Sequence, residues 1–126
     1  LIRHHIYKNS FHEALDVLKG QNKYELYYQF APILMQEVPK HTVKALIDQG
    51  KKLVPVRLLP ALVTCEGEFH AKQVITYLEF CIDKLKNTDK AIHNFLLSLY
   101  AKHDKEKLMQ YLNSQGQELS LVCHQN

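Results

Sequence analysis

Residues 76–101 read TYLEFCIDKLKNTDKAIHNFLLSLYA. Leu78, Cys81, Ile82 and Leu85 recur at three- and four-residue intervals, and so do Ile92, Phe95, Leu96 and Leu99. That period places each set on one face of an α-helix. The polar run Asn87-Thr88-Asp89 between them predicts a short turn, with Thr88 or Asp89 as the helix cap. Two amphipathic helices joined this tightly fold back on one another. Similar units on both sides make the whole chain read as a stacked helical array.

Working outward, the same period predicts helices over Phe11–Lys19, Lys23–Met35, His41–Gln49, Val56–Val63, Phe69–Lys86, Lys90–Lys102 and Lys105–Asn113, with a further element over Glu118–Cys123. Ser10 and Asp104 are expected caps, Pro39 and Pro55 expected openers, and Gly20, Gly50 and Gly116 expected stops, Gly20 in a left-handed conformation. Pro32 and Pro60 fall inside predicted helices. Proline lacks an N–H and crowds the preceding turn, so a kink or break is expected at each. The pairs Ala14-Leu15, Ala45-Leu46, Ala61-Leu62 and Ala91-Ile92 set a small residue beside an apolar one, which would let helix backbones approach. The expected fold is all-α, an α-solenoid of about eight short antiparallel helices forming a single domain over residues 1–126.

Composition narrows the function. Apolar residues make up 46% of the chain, enough for a packed core. Sixteen basic against thirteen acidic side chains leave a formal charge of +3. That is too mild for a nucleic-acid footprint. The basic groups Lys51, Lys52 and Arg57, and Lys102, Lys105 and Lys107, are sparse, and acidic neighbours dilute the second. No apolar run is long enough to span a membrane, and no signal-peptide or lipidation motif stands out. The chain has no initiator Met and begins within a predicted helix, Leu1 to Tyr7, so it is expected to be a piece of a longer protein. Three cysteines at unrelated spacings, Cys65, Cys81 and Cys123, suit a reducing compartment better than a disulfide framework.

No motif carries chemistry. His4, His5 and His12 would share a face only if the helix ran through Asn9-Ser10, which is expected to interrupt it. Cys65 with His70, and Cys123 with His124, match no zinc spacing. Cys81 on an apolar stripe reads as a small core residue. Glu66 and Glu68 flank Gly67 as solvated loop acids. The four glycines are scattered at helix ends, so no phosphate-cradling loop forms. Tyr24, Tyr27, Tyr28 and Phe30 suit either a packed helix or a partner interface. No catalytic, cofactor or metal residue is expected, and no enzyme.

Longer strings resemble a known family. Tyr28-Gln29-Phe30-Ala31-Pro32-Ile33-Leu34-Met35 is similar to the kFAPvLM segment of the vacuolar protein sorting-associated protein 18 family, and Arg57-Leu58-Leu59-Pro60-Ala61-Leu62-Val63 to its LiPALV segment. Tyr77-Leu78-Glu79-Phe80-Cys81 followed by Ala91-Ile92-His93-Asn94-Phe95-Leu96-Leu97-Ser98-Leu99-Tyr100-Ala101 resembles its YmEFC…AIHNyLLSLYA. The order and spacing agree from about Phe11 to Leu112.

The resemblance implies a clathrin heavy-chain repeat region in a core subunit of two endolysosomal tethering complexes, homotypic fusion and protein sorting (HOPS) and class C core endosome tethering (CORVET). It implies sibling subunits as partners, Rab GTPases and SNAREs indirectly, and a cytoplasmic, peripheral place on late endosome, lysosome or vacuole membranes. The family's β-propeller and RING-type zinc domain are not expected within these residues, and with no CxxC pair nothing of zinc or ubiquitin-ligase chemistry carries over. The alternatives are a clathrin-like coat or adaptor solenoid and, from another class, a helical enzyme or E3 accessory domain. Excised solenoid ends expose apolar faces, so weak self-association through Leu1 to Tyr7 or Leu119 to Cys123 is expected. A strictly monomeric light-scattering profile at high concentration would contradict that expectation.

Overall fold

Helix period and tight polar turns dictate a chain that doubles back repeatedly. The computed structural model, which describes residues 1–113, shows how. Seven α-helices run α1 (Ile2–Tyr7), α2 (Phe11–Lys19), α3 (Tyr24–Glu37), α4 (Pro39–Gln49), α5 (Pro55–Val63), α6 (Glu68–Asp83) and α7 (Lys90–His103), with a 3-10 turn at Gly50–Lys52. Residues 105–113 are helical again, and no strand occurs among the described residues. Chain neighbours pack as α1 on α2, α3 on α4 and α6 on α7. Alternate helices also pack, giving one row of α2, α4 and α6 and another of α3, α5 and α7. Two rows of alternating helices are an α-solenoid.

The core runs continuously between the rows. Leu18, Tyr27, Leu34, Met35, Leu46, Leu58, Leu62, Leu78, Ile92 and Leu96 are almost wholly buried in one cluster. Burying a side chain of this size stabilises by roughly 1.5–3 kcal/mol. Ala14, Ala45 and Ala61 are buried as expected, joined by Ala31 and Ala71. Ala91 is exposed on the outer side of α7, so the small-residue theme fails there.

The sharpest corner lies between α3 and α4, where Val38 alone separates the helices. Pro39 is the first residue of α4, where its missing N–H costs nothing. The buried Thr42 hydroxyl sits 3.0 Å from the Leu34 carbonyl and 2.8 Å from that of Val38, capping the end of α3 from within α4. Gly50 has φ +55, as a stop requires.

Several local expectations fail for identifiable reasons. Pro32 and Pro60 do not break their helices; α3 and α5 run through them. The carbonyls they leave unpaired are those of Tyr28 and Val56, neither of which is buried, so water can serve them. Ser10 occupies the cap position of α2, but its side chain accepts no cap bond; its carbonyl accepts from Ala14 N–H instead. Gly20 stays right-handed at φ −78, its N–H shared between the Asp16 and Val17 carbonyls. The helix after Gly67 begins at Glu68, which therefore belongs to its first turn rather than to a loop. It ends at Asp83, before the expected Lys86, because Lys86 turns left-handed at φ +57 and lets Asn87 N–H reach the Cys81 carbonyl at 2.9 Å. The Asp89 carboxylate caps α7 by accepting from Ala91 N–H at 2.9 Å, and Asp104 caps the 105–113 helix by accepting from Lys107 N–H at 3.1 Å. Gly116 and the Glu118–Cys123 element lie outside the described residues.

Leu78 and Leu96 both lie in the core cluster and are closed to solvent. Leu78→Asp is expected to abolish the cooperative thermal transition, since an unpaired buried charge is costly. Leu96→Ala should cost about 2–5 kcal/mol in denaturant unfolding. A retained transition in Leu78→Asp would show that this stripe is not the core.

Candidate functional site

The polar side chains that find partners across the fold do so mainly at the joints between helix layers. At the α3–α5 joint the Arg57 guanidinium grips Glu25 through both nitrogens, at 2.8 and 2.7 Å. The same guanidinium lies 3.9 Å from the centre of the Tyr28 ring, a cation–π contact. Val54 N–H, just before α5, donates to the Tyr28 hydroxyl at 2.8 Å. The first turns of α3 and α5 are thus held side by side. The pair is solvent-exposed, so it fixes register more than it adds stability. Arg57 also holds the Glu25 carboxyl below its ordinary range, chiefly through this hydrogen bond.

A second joint ties α6, α7 and the 105–113 helix. The Tyr100 hydroxyl donates to Glu79, and Lys107 Nζ reaches the same carboxylate oxygen at 3.2 Å. His93 Nδ1 meets the Tyr111 hydroxyl, and His93 Nε2 donates to the Asn87 carbonyl at 2.8 Å. Burial raises the Tyr100 hydroxyl's pKa, and the neighbouring Glu79 raises it further, so it stays a donor across the physiological range. A third tie joins His70 Nε2 to the Gln36 carbonyl at 2.8 Å, between the end of α3 and the start of α6.

Between α4 and α6 runs a groove of about 340 Å³. Val43 and Ile47 form its apolar floor, Gln73 and Thr76 its far wall, and Lys40, His41 and Lys44 its rim. Lys40 and Lys44 are exposed and stand four residues apart on one face of α4. Neither has an ion pair among the described residues.

The residues singled out in the sequence are dispersed by the fold. His4 faces His5, while His12 packs edge-on against His41 at 4.7 Å. Asn9, at φ +61, breaks the helix between the two sets. Cys65 makes a weak contact to the Ala61 carbonyl, while His70 is engaged by Gln36. Cys81 is fully buried, and burial pushes its thiol up to about 11. Tyr27 and Phe30 belong to the core; Tyr24 and Tyr28 are half-buried under Lys52 and Arg57. The Arg57 charge is therefore committed within the fold. No group of three potential metal ligands converges among the described residues. No described helix is long and apolar enough to cross a membrane. Cys123 and His124 lie outside the described residues. The joints themselves escaped sequence reasoning, because Glu25 and Arg57 are 32 residues apart and Glu79 and Lys107 are 28 apart.

The family model described as "VPS18, alpha-solenoid domain, second half" matches residues 1–126. The chain is 48% identical over 110 residues to the vacuolar protein sorting-associated protein 18 homolog of Drosophila melanogaster, covering 87% of this chain and 11% of that protein. It is 42% identical over 123 residues to the homolog of Danio rerio, covering 95% and 13% respectively. Vacuolar sorting protein 18 of Arabidopsis thaliana is 40% identical over 111 residues, covering 84% and 11%. The chain thus spans about a tenth of the length of these relatives.

Two buried tyrosines test the joints by contrast. The Tyr77 hydroxyl is buried with no oxygen or nitrogen partner, whereas that of Tyr100 serves Glu79. Tyr77→Phe is expected to be neutral or to raise the melting temperature slightly, while Tyr100→Phe costs about 1 kcal/mol in denaturant titration. The Glu25 pair adds a pH signature. A depressed carboxyl pKa contributes stability that is present above the unfolded value near 4.5 and lost as pH falls through the folded value. Glu25→Gln should therefore remove that small contribution at neutral pH, leave stability below the folded value nearly unchanged, and so flatten the acid limb of the profile. Native alkylation followed by peptide mass spectrometry should leave Cys81 unmodified until the chain unfolds.

Proposed function

The chain belongs to the vacuolar protein sorting-associated protein 18 family, as the second half of its α-solenoid, and we propose that it works as a structural and protein-interaction segment of an endolysosomal tethering subunit. In this reading the parent subunit acts in HOPS and CORVET. It sits peripherally on the cytosolic face of late endosome, lysosome or vacuole membranes and promotes docking before SNARE-driven fusion. The solenoid sets the distance and angle between modules at either end, offers its flanks to sibling subunits, and engages Rab GTPases and SNAREs only through them. It transforms no substrate.

The observation that carries this reading is where the polar groups go. Arg57 with Glu25, and Glu79, Tyr100, Lys107 and His93, bridge one helix layer to the next; Glu79, Tyr100 and Lys107 border an open hollow of about 320 Å³, but their polar atoms are spent on one another. A catalyst concentrates such groups in a water-poor pocket with matched pKa values; a spacer distributes them along its length. The vacuolar sorting identity of the relatives supports a tether over a clathrin-like coat or adaptor solenoid.

The test is co-purification of a full-length family member with and without this segment. Loss of sibling tethering subunits on deletion, with the remaining domains still folded, is the expected result. Undiminished recovery of the siblings, or recovery of clathrin light chain in their place, would reject the proposal.

A further inference from the structure

We propose that the groove between α4 and α6 is a docking site for an acidic amphipathic peptide, whose apolar side chains settle on Val43 and Ile47 while its carboxylates meet Lys40 and Lys44. Lys40 and Lys44 share one face of α4 at a spacing of four, where like charges repel. Three other cations are ion-paired, Arg57 with Glu25, Lys72 with Glu68 and Lys107 with Glu79, whereas Lys40 and Lys44 are not. At this groove the lining supplies no carboxylate. His41 adds a third nitrogen base at the rim, packed on His12 from α2.

The floor beneath these charges is apolar. Val43 is buried, Ile47 is half-buried, and the lysine stems can extend the apolar lining while their heads stay in water. From Lys40 to Ile47 the groove follows about two helical turns, ~10 Å of axis. That length suits the i, i+3, i+4 anchors of a short amphipathic helix. A basic peptide would add to the repulsion, and a purely apolar one would leave both ammonium groups unmatched. Charge complementarity therefore selects acidic flanks.

The probe is a fluorescein-labelled peptide with leucine at every third or fourth position and glutamate between, measured by anisotropy against the 126-residue chain. A second peptide carries glutamine in place of each glutamate. The glutamate peptide is expected to bind about tenfold or more tightly than the glutamine peptide, and to weaken as salt is raised. Lys40→Glu with Lys44→Glu should reduce its affinity about tenfold or more, with helical circular dichroism unchanged. Gln73→Trp fills the groove without altering charge and should weaken binding equally, which keeps the proposal testable if the charge reversal disturbs folding. Equal binding of the two peptides, or unchanged affinity in either folded variant, would overturn it. So would binding of anionic lipid vesicles without the peptide, or a self-association that the charge reversal abolishes.

Discussion

A helix with apolar residues on two sides cannot be buried by a single neighbour, and the solenoid follows from that constraint. In α4, Thr42, Val43, Ala45 and Leu46 are all buried, a face broader than the narrow stripe one neighbour would cover. α2, α3 and α6 must each take part of that surface. The same holds for α6, where Ala71, Val74, Ile75, Tyr77, Leu78 and Cys81 meet α4 on one side and α7 on the other. Each layer is therefore completed by the next. Burial at roughly 25 cal/mol per Å² drives the stacking, because the polar joints are too exposed to do so.

What the joints contribute is choice among stackings. An apolar face tolerates sliding, whereas a bidentate guanidinium–carboxylate pair does not. Arg57 on Glu25, capped by the Tyr28 ring, sets α5 against α3 at one height. Glu79 gathers Tyr100 and Lys107 and so relates three successive helices at one point. In a spacer, small errors of angle multiply with each layer. Specific clasps at the layer boundaries are the physical means of suppressing that drift.

The elements were legible because their signal is local. A period of 3.6 residues survives in any short window, and Asp104 announces its cap by position alone, while Asp89 is one of two candidates beside Thr88. At Pro32 and Pro60 the break, one of the two outcomes expected, did not occur, because the cost of proline depends on whether its orphaned carbonyl meets water, which a sequence does not disclose. Lys86 misled for the opposite reason: a lysine in a left-handed conformation carries no compositional mark, unlike a glycine. Gly20 carried that mark and stayed right-handed. The joints were illegible in principle. Which glutamate meets which arginine across 32 residues depends on the packing that the apolar faces create first.

The two-row arrangement also explains why an open groove can form along the flank of the solenoid. Neighbours in one row are not consecutive in the chain, so their seam is free of the turn that closes each hairpin. Side chains at such a seam are answerable to packing only on their inner face. Along α3–α5 the outer face is closed by an internal ion pair. Along α4–α6 two lysines repel one another above an apolar floor. Local conflict of that kind lowers stability without improving the fold, and such conflicts mark places where another requirement shaped the residues. The α4–α6 seam is one such place, as the Tyr77 hydroxyl, buried without an oxygen or nitrogen partner, is another.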